Sequence, residues 1–272
     1  MGRTTLPWVQ YTFNPWWGCT QVSPACDHCY AMVLARRLGR RAFGHPVEWG
    51  PSGRRGYLSE NGWAGPLAWE RSARRTGERP RVFCGSMMDV FEGKAEQRPH
   101  LERLYALIEQ TPHLDWLLLT KRPNQARHLG PARWPDNVWI GCTVETQAWA
   151  EQRLPHLLSL DCTLRFLSVE PLLGPLDLRS VLGPGPGRVN WIVLGGESGP
   201  QARGPDGVVD WYRDLRRQCG DAGVPLFFKQ WGRFRQDGSD LVRLRPRESR
   251  AEPAALDGIV QHEVPKGCSG PR

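Results

Sequence analysis

Three thiols stand within eleven residues of one another, Cys19, Cys26 and Cys29, in the spacing C-x6-C-x2-C. Thiolates this close are soft ligands and ask for a metal, and in a reducing compartment ligation is favoured over a disulfide. A structural zinc closes four ligands around one ion. No second C-x-x-C exists in the chain, and His28 lies inside the 26–29 pair, where joint chelation is awkward. A cubane iron-sulfur cluster normally takes four cysteines, so three leave one iron open, which suggests catalysis. The alternative is a non-catalytic nucleic-acid-binding protein with a structural zinc or iron-sulfur site.

A second set of chemistry-bearing side chains is spread along the chain at regular intervals: Asp89, Lys121, Glu145, Glu170, Glu197 and Lys229, separated by 32, 24, 25, 27 and 32 residues. Each follows a short apolar run, at 81–85, 115–119, 138–142, 164–168, 190–194 and 225–228. Amphipathic segments at 29–38, 96–109, 147–158 and 210–222 read as helices, and a further strand is expected before Cys19. Short, near-continuous apolar strands alternating with helices predict an α/β fold with a parallel sheet. The expected architecture is a single domain, a full or partial parallel β/α (TIM-like) barrel of six or seven strands. Such a sheet gathers all six charged residues on the rim where barrel active sites lie.

The segments 39–79 and 233–272 read as an irregular insertion and an irregular C-terminal extension. Cys84 and Cys142 fall in predicted strands and Cys219 on a helix, where a free thiol behaves as a small hydrophobe; Cys162 and Cys268 stay undecided. Neither H-E-x-x-H nor G-x-S-x-G occurs, which leaves hydrolase readings little support.

The 272 residues carry 36 Lys and Arg against 28 Asp and Glu, a formal charge of +8. Arg37, Arg40, Arg41, Arg54, Arg55, Arg71, Arg74, Arg75, Arg79 and Arg81 are interleaved with Trp49, Tyr57, Trp63 and Trp69, a mixture that suits nucleic acid as well as it suits a solvated basic surface. No apolar stretch reaches membrane-spanning length and the first ten residues lack a secretory core, so a cytoplasmic protein is expected.

The motifs Phe13 to Cys19 (FNPWWGC), Ser23 to Ala31 (SPACDHCYA), Ser86 to Phe91 (SMMDVF), Leu119 to Pro123 (LTKRP), Gly195 to Gly199 (GGESG) and Phe228 to Gly232 (FKQWG) together resemble radical S-adenosylmethionine enzymes. Within that superfamily the resemblance is to a poorly characterised branch found in phages and bacteria. Six residues separate the first two cysteines, against three in the commonest spacing of the superfamily.

The resemblance implies that Cys19, Cys26 and Cys29 hold a four-iron four-sulfur (4Fe-4S) cluster whose fourth iron binds S-adenosyl-L-methionine. Its reductive cleavage would give a 5′-deoxyadenosyl radical that abstracts hydrogen from a substrate. Tyr30 would lie beside the adenine, and Ser86 and Asp89 near the methionine ammonium. Glu145, Gly195, Gly196 and Glu197 would also contact the cofactor, and Lys121, Glu170 and Lys229 would serve the chemistry. A flavodoxin or ferredoxin would supply electrons. A nucleobase, nucleotide or DNA base is the expected substrate, and no membrane partner is expected.

Overall fold

The computed structural model describes residues 2–199, 201–245 and 254–265; Cys268 lies outside them. In chain order the elements are β1 (Gly2–Arg3), β2 (Tyr11–Phe13), β3 (Trp16–Trp17), α1 (Tyr30–Phe43), β4 (Gly56–Tyr57), α2 (Glu60–Thr76), β5 (Arg81–Cys84), α3 (Arg98–Glu109), β6 (Asp115–Thr120), α4 (Pro123–Leu129), β7 (Val138–Thr143), α5 (Gln147–Leu158), β8 (Leu164–Val169), β9 (Trp191–Gly195), α6 (Val208–Ala222), β10 (Leu226–Gln230), β11 (Phe234–Asp237) and β12 (Asp240–Arg243).

One eight-stranded sheet runs β1-β2-β5-β6-β7-β8-β9-β10. Seven of its strands are parallel and β1 is antiparallel to β2. The fold is therefore the expected α/β parallel barrel in its partial form, because β1 and β10 stand at opposite ends of the order. The sheet curls strongly. Trp8 touches Phe83 of β5 at 4.7 Å and Trp191 of β9 at 5.9 Å between ring centroids. In a flat sheet those two strands, four positions apart, would stand about 19 Å from each other. Trp8, Phe83, Trp139, Phe166, Trp191 and Phe227 fill the concave side, and the helices cover the convex side through the larger apolar cluster.

The four expected helices form, but the expected irregularity of 39–79 does not hold throughout: α1 extends to Phe43 and residues 60–76 form α2. Gly62, Gly65 and Pro66 depress helix propensity there. Packing overrides them, as Trp69 stacks on Tyr11 at 4.2 Å and Trp63 meets Phe13 edge-on at 5.4 Å. The C-terminal extension is likewise ordered in part. The antiparallel pair β11–β12 packs there, Asp257 pairs with Arg213 at 2.7 Å and Arg216 at 3.0 Å, and the backbone of Gln261 and Glu263 bonds to Phe228 and Leu226 along the free edge of β10. Covering that edge prevents it from templating another strand. Among the described residues no helix is long and apolar enough to cross a membrane.

Candidate active site

A pocket with about 1060 Å³ of empty space, including its open mouth, lies at the C-terminal ends of the strands. Alternation along each strand explains what enters it. Residues two apart share a face, so the interior positions Leu117, Phe166, Val193 and Phe227 point the same way as the residues that continue them upward. Leu119 and Lys121, Ser168 and Glu170, Glu197, and Lys229 line the pocket. The cysteine loop, which follows β2 and β3, supplies the facing wall with Cys19, Cys26 and Cys29.

The cysteine wall is built on buried polar bonds. The Arg55 guanidinium, fully buried, donates to Glu92 at 2.5 and 3.1 Å, to Thr20 Oγ1 at 3.1 Å, and to the carbonyls of Glu48, Gly50 and Gly53. Burial alone would raise the pKa of Glu92, yet hydrogen bonds from Arg55, Thr20 and Gln97 outweigh it and hold the carboxyl below its ordinary value. Gly18, at φ +104°, makes room for this arrangement: a Cβ there would stand 2.7 Å from Arg55 Cδ. Arg122 donates to the Thr20 carbonyl at 2.6 Å and to Asp89 at 2.9 Å, with Cys19 Sγ 3.7 Å away. Burial first, and then the nearby Asp89, push the Cys19 thiol up to about 12. Desolvation would lower the Lys121 pKa, but Asp89 and the sulfurs of Cys26, Cys29 and Cys19, where these are ionised, outweigh this and raise it.

The opposite wall carries fewer bonds. Glu170 and Lys229, facing each other from β8 and β10, pair at 3.0 Å with both side chains 15% exposed. Glu197 accepts from the Arg203 side chain at 2.5 and 3.0 Å and from its backbone at 2.7 Å, and His28 Nδ1 lies 3.1 Å from Glu197 Oε2. Burial would raise the Glu197 pKa; the bonds from Arg203 and His28 reverse that and lower it. This contact also ties the cysteine loop to the end of β9. The Tyr30 ring is half exposed at the mouth, its hydroxyl donating to the Ser86 carbonyl at 2.9 Å, and Ser86 Oγ accepts from Asn14 at 2.9 Å.

Several sequence expectations shift. Glu145 is fully buried but outside the pocket: β7 ends at Thr143, alternation stops there, and the Glu145 carboxylate turns to Arg153 of α5 at 2.8 Å. Thr143 takes the place expected for it. Gly195 also lies outside the lining; a Cβ on it would stand 2.1 Å from Glu170 Oε1, and one on Gly196 2.3 Å from the Trp231 carbonyl. Both glycines let strand ends approach, which explains them without a ligand. Asp89 lines the pocket, yet its two oxygens already accept from Thr120, Lys121 N, Arg122 and Phe91 N. It braces the wall rather than presenting a free carboxylate. Of the aromatics read as interleaved with arginine, Trp63 is buried, Trp69 stacks on Tyr11 and Tyr57 stacks on His100, so of these four Trp49 alone lines the pocket. Arg55, Glu92, Arg122 and Arg203 were not singled out as site residues, since nothing local marks an arginine for burial.

Over residues 3–265 the chain matches the family described as "Protein of unknown function (DUF5131)". It belongs to that family. No curated protein matches. Among solved structures the chain is similar to a spore photoproduct lyase mutant with bound AdoMet and dinucleoside spore photoproduct, at 14% identity and a TM-score of 0.46, covering 84% of this chain and 60% of that one. It is also similar to spore photoproduct lyase complexed with dinucleoside spore photoproduct, at 14% identity and a TM-score of 0.49, covering 83% and 80%.

The donor set itself discriminates between metals. Among the described residues no group of three or more His, Cys, Asp or Glu side chains converges as ligands of one ion must. The three cysteines nonetheless share one pocket wall, and among the described residues no other cysteine lines it, as Cys84, Cys142, Cys162 and Cys219 are buried elsewhere. In a cubane each thiolate holds a different iron, so its ligands surround a volume instead of meeting at a point. The residues fit a cluster with three protein ligands better than mononuclear zinc.

Proposed function

We propose that this chain is a radical S-adenosylmethionine enzyme that acts on a nucleobase or nucleotide, a base in DNA included. The observation that carries the reading is a pocket with three cysteines and, among the described residues, no fourth on one wall and an acid-base set on the other. Bound there, a 4Fe-4S cluster and S-adenosylmethionine would supply reductive cleavage of a carbon-sulfur bond and a 5′-deoxyadenosyl radical able to abstract hydrogen.

The chain's own residues have separate tasks. Cys19, Cys26 and Cys29 would hold the cluster, and the charged Lys121 offsets the negative charge of their thiolates. Tyr30, its hydroxyl fixed on the Ser86 carbonyl, presents its ring at the mouth directly after the third cysteine. Glu170 and Lys229 would face the substrate and hold or move a proton between carboxylate and ammonium. The aromatic floor of Trp8, Phe83 and Trp191 keeps water from entering through the barrel.

Anaerobic reconstitution with iron and sulfide, followed by dithionite reduction and S-adenosylmethionine, should yield 5′-deoxyadenosine by mass spectrometry. Cys26→Ala should lose the product together with the roughly four irons per chain that a cubane brings. Iron-loaded, reduced protein that yields no 5′-deoxyadenosine with a pool of nucleosides and DNA would overturn the proposal. A colourless protein holding one zinc would do the same.

A further inference from the structure

Helix α1 leaves the pocket mouth at Tyr30 and carries no acidic residue along its length. Its exposed positions Tyr30, Val33, Arg36, Arg37, Arg40 and Arg41 fall on one face at the 3.6-residue period, while Ala31, Ala35 and Gly39 are buried behind them. Tyr30 and Val33 are 49% and 55% exposed, unusual for large apolar side chains, and both lie at the pocket end. The four arginines have no carboxylate within ion-pair distance among the described residues; Arg36 leans on the Met32 sulfur at 3.8 Å. Arg55, Arg79, Arg103, Arg153, Arg203 and Arg213 all pair with carboxylates, whereas Arg71, Arg74 and Arg75 of α2 are exposed but do not line the pocket or the groove beside α1.

Beside this face runs a second groove, lined by Met32 and Arg36 of α1 and by the return loop 46–53, and Trp49 belongs to both this groove and the pocket. Asp27 pairs with Arg203 at 3.3 Å, and Glu48, the one carboxylate among the described residues of the groove lining, is turned to the Arg54 backbone N–H at 3.0 Å, leaving the groove with one acidic side chain beside the arginines of α1.

We infer that the α1 face and the Trp49 groove form a track for single-stranded nucleic acid leading into the pocket, an inference that rests on the proposed nucleobase chemistry. Unneutralised guanidinium groups suit a phosphate backbone, and the exposed Tyr30 and the partly buried Trp49, which lines both the pocket and the groove, offer ring faces on which bases stack. An apolar and aromatic end next to the pocket followed by a basic stem suits a strand better than an acidic protein surface, which needs no stacking platform. A duplex would have to release its base before the pocket could receive it.

The test is fluorescence anisotropy of a labelled single-stranded oligonucleotide, with full-length protein, against salt. Four phosphate contacts predict a log-log slope of about −3, so affinity should fall roughly 50-fold between about 50 and 200 mM salt. The variant R36Q/R37Q/R40Q/R41Q should weaken binding at least tenfold at low salt and flatten the slope. R71Q/R74Q/R75Q on α2, which removes exposed arginines near the opposite end of the sheet, should change little. R36Q alone should reduce the slope by about 0.7, which keeps the test decisive if the quadruple variant folds poorly by circular dichroism. Equal binding of the quadruple variant, equal losses from the α2 variant, or duplex bound as tightly as single strand would each overturn the track. Affinity for an acidic flavodoxin with none for the oligonucleotide would also overturn it and give the face to an electron donor. Iron content separates the two readings. Unmodified protein that takes up iron but binds no strand sinks the track, and strand binding without iron uptake sinks the cluster.

Discussion

The two walls of the pocket are held in opposite ways. On the cysteine side, buried groups are saturated with partners: Arg55 makes six hydrogen bonds to five residues, and Asp89 accepts four. On the strand side Glu197 is held as firmly, by Arg203 and His28, but Glu170 and Lys229 have chiefly each other and keep some contact with solvent. A loop with no regular structure of its own needs many side-chain bonds to hold three sulfurs in place. Residues at the ends of strands inherit their positions from the sheet and can keep hydrogen-bonding capacity free. The first wall is a socket and the second a working surface.

Removing one member of the socket should do most damage. Arg55→Ala leaves Glu92 buried without its cation and should lower unfolding free energy by about 3–5 kcal/mol in urea titrations. If the loss were instead below about 1 kcal/mol, as for a solvated pair, the socket would be less rigid than its bonds indicate. Glu145→Gln asks where the wall stops. Its carboxylate belongs to the Arg153 pair behind the strand ends, so the variant should lose roughly 1–3 kcal/mol of stability while iron content and S-adenosylmethionine affinity stay at wild-type values. A selective loss of S-adenosylmethionine affinity would return Glu145 to the cofactor site.

Acid titration touches both walls. Glu92 and Glu197 have folded pKa values below their ordinary 4.5. The stability they contribute is therefore complete above that pH and is lost as pH falls below it through the lower folded values. Urea midpoints from roughly pH 6 to 3 should drop in the wild type, and less steeply in Glu92→Gln. The smallest effect is expected at the working surface. Lys229→Ala, with its partner 15% exposed, should cost about 1 kcal/mol, and its consequences should fall on turnover instead of stability.

Much of this was legible in the residues. Six strands and four helices stand within a few residues of where apolar runs and amphipathic spacing put them, because short buried strands of a parallel sheet are apolar along their whole length. Lys121, Glu170, Glu197 and Lys229 line one pocket, and Lys121, Glu170 and Lys229 lie in or one residue past their strands, where alternation still aims a side chain inward. Glu145 and Glu197 both lie two residues past their strands, and their partners decide between them: Arg153 of α5 draws Glu145 behind the strand ends, while Arg203 and His28 hold Glu197 at the pocket. Helix α2 was hidden by Gly62, Gly65 and Pro66, whose low propensity is offset by contacts with Tyr11 and Phe13, about fifty residues earlier in the chain. The division of the arginines between buried clamps and open surface had no local signal at all, since an arginine's partner is set by what folds against it.

Unaided, the sequence determined the periodic scaffold and the grouping of three thiols on which the proposed function rests, because thiol spacing and hydrophobic period are local properties of the chain. The tertiary structure alone decided which charges face the pocket, which arginines are consumed in holding the cysteine loop, and which remain open along α1. Those outcomes depend on contacts between segments as far apart as His28 and Glu197, and a contact over that separation exists only once the sheet has curled.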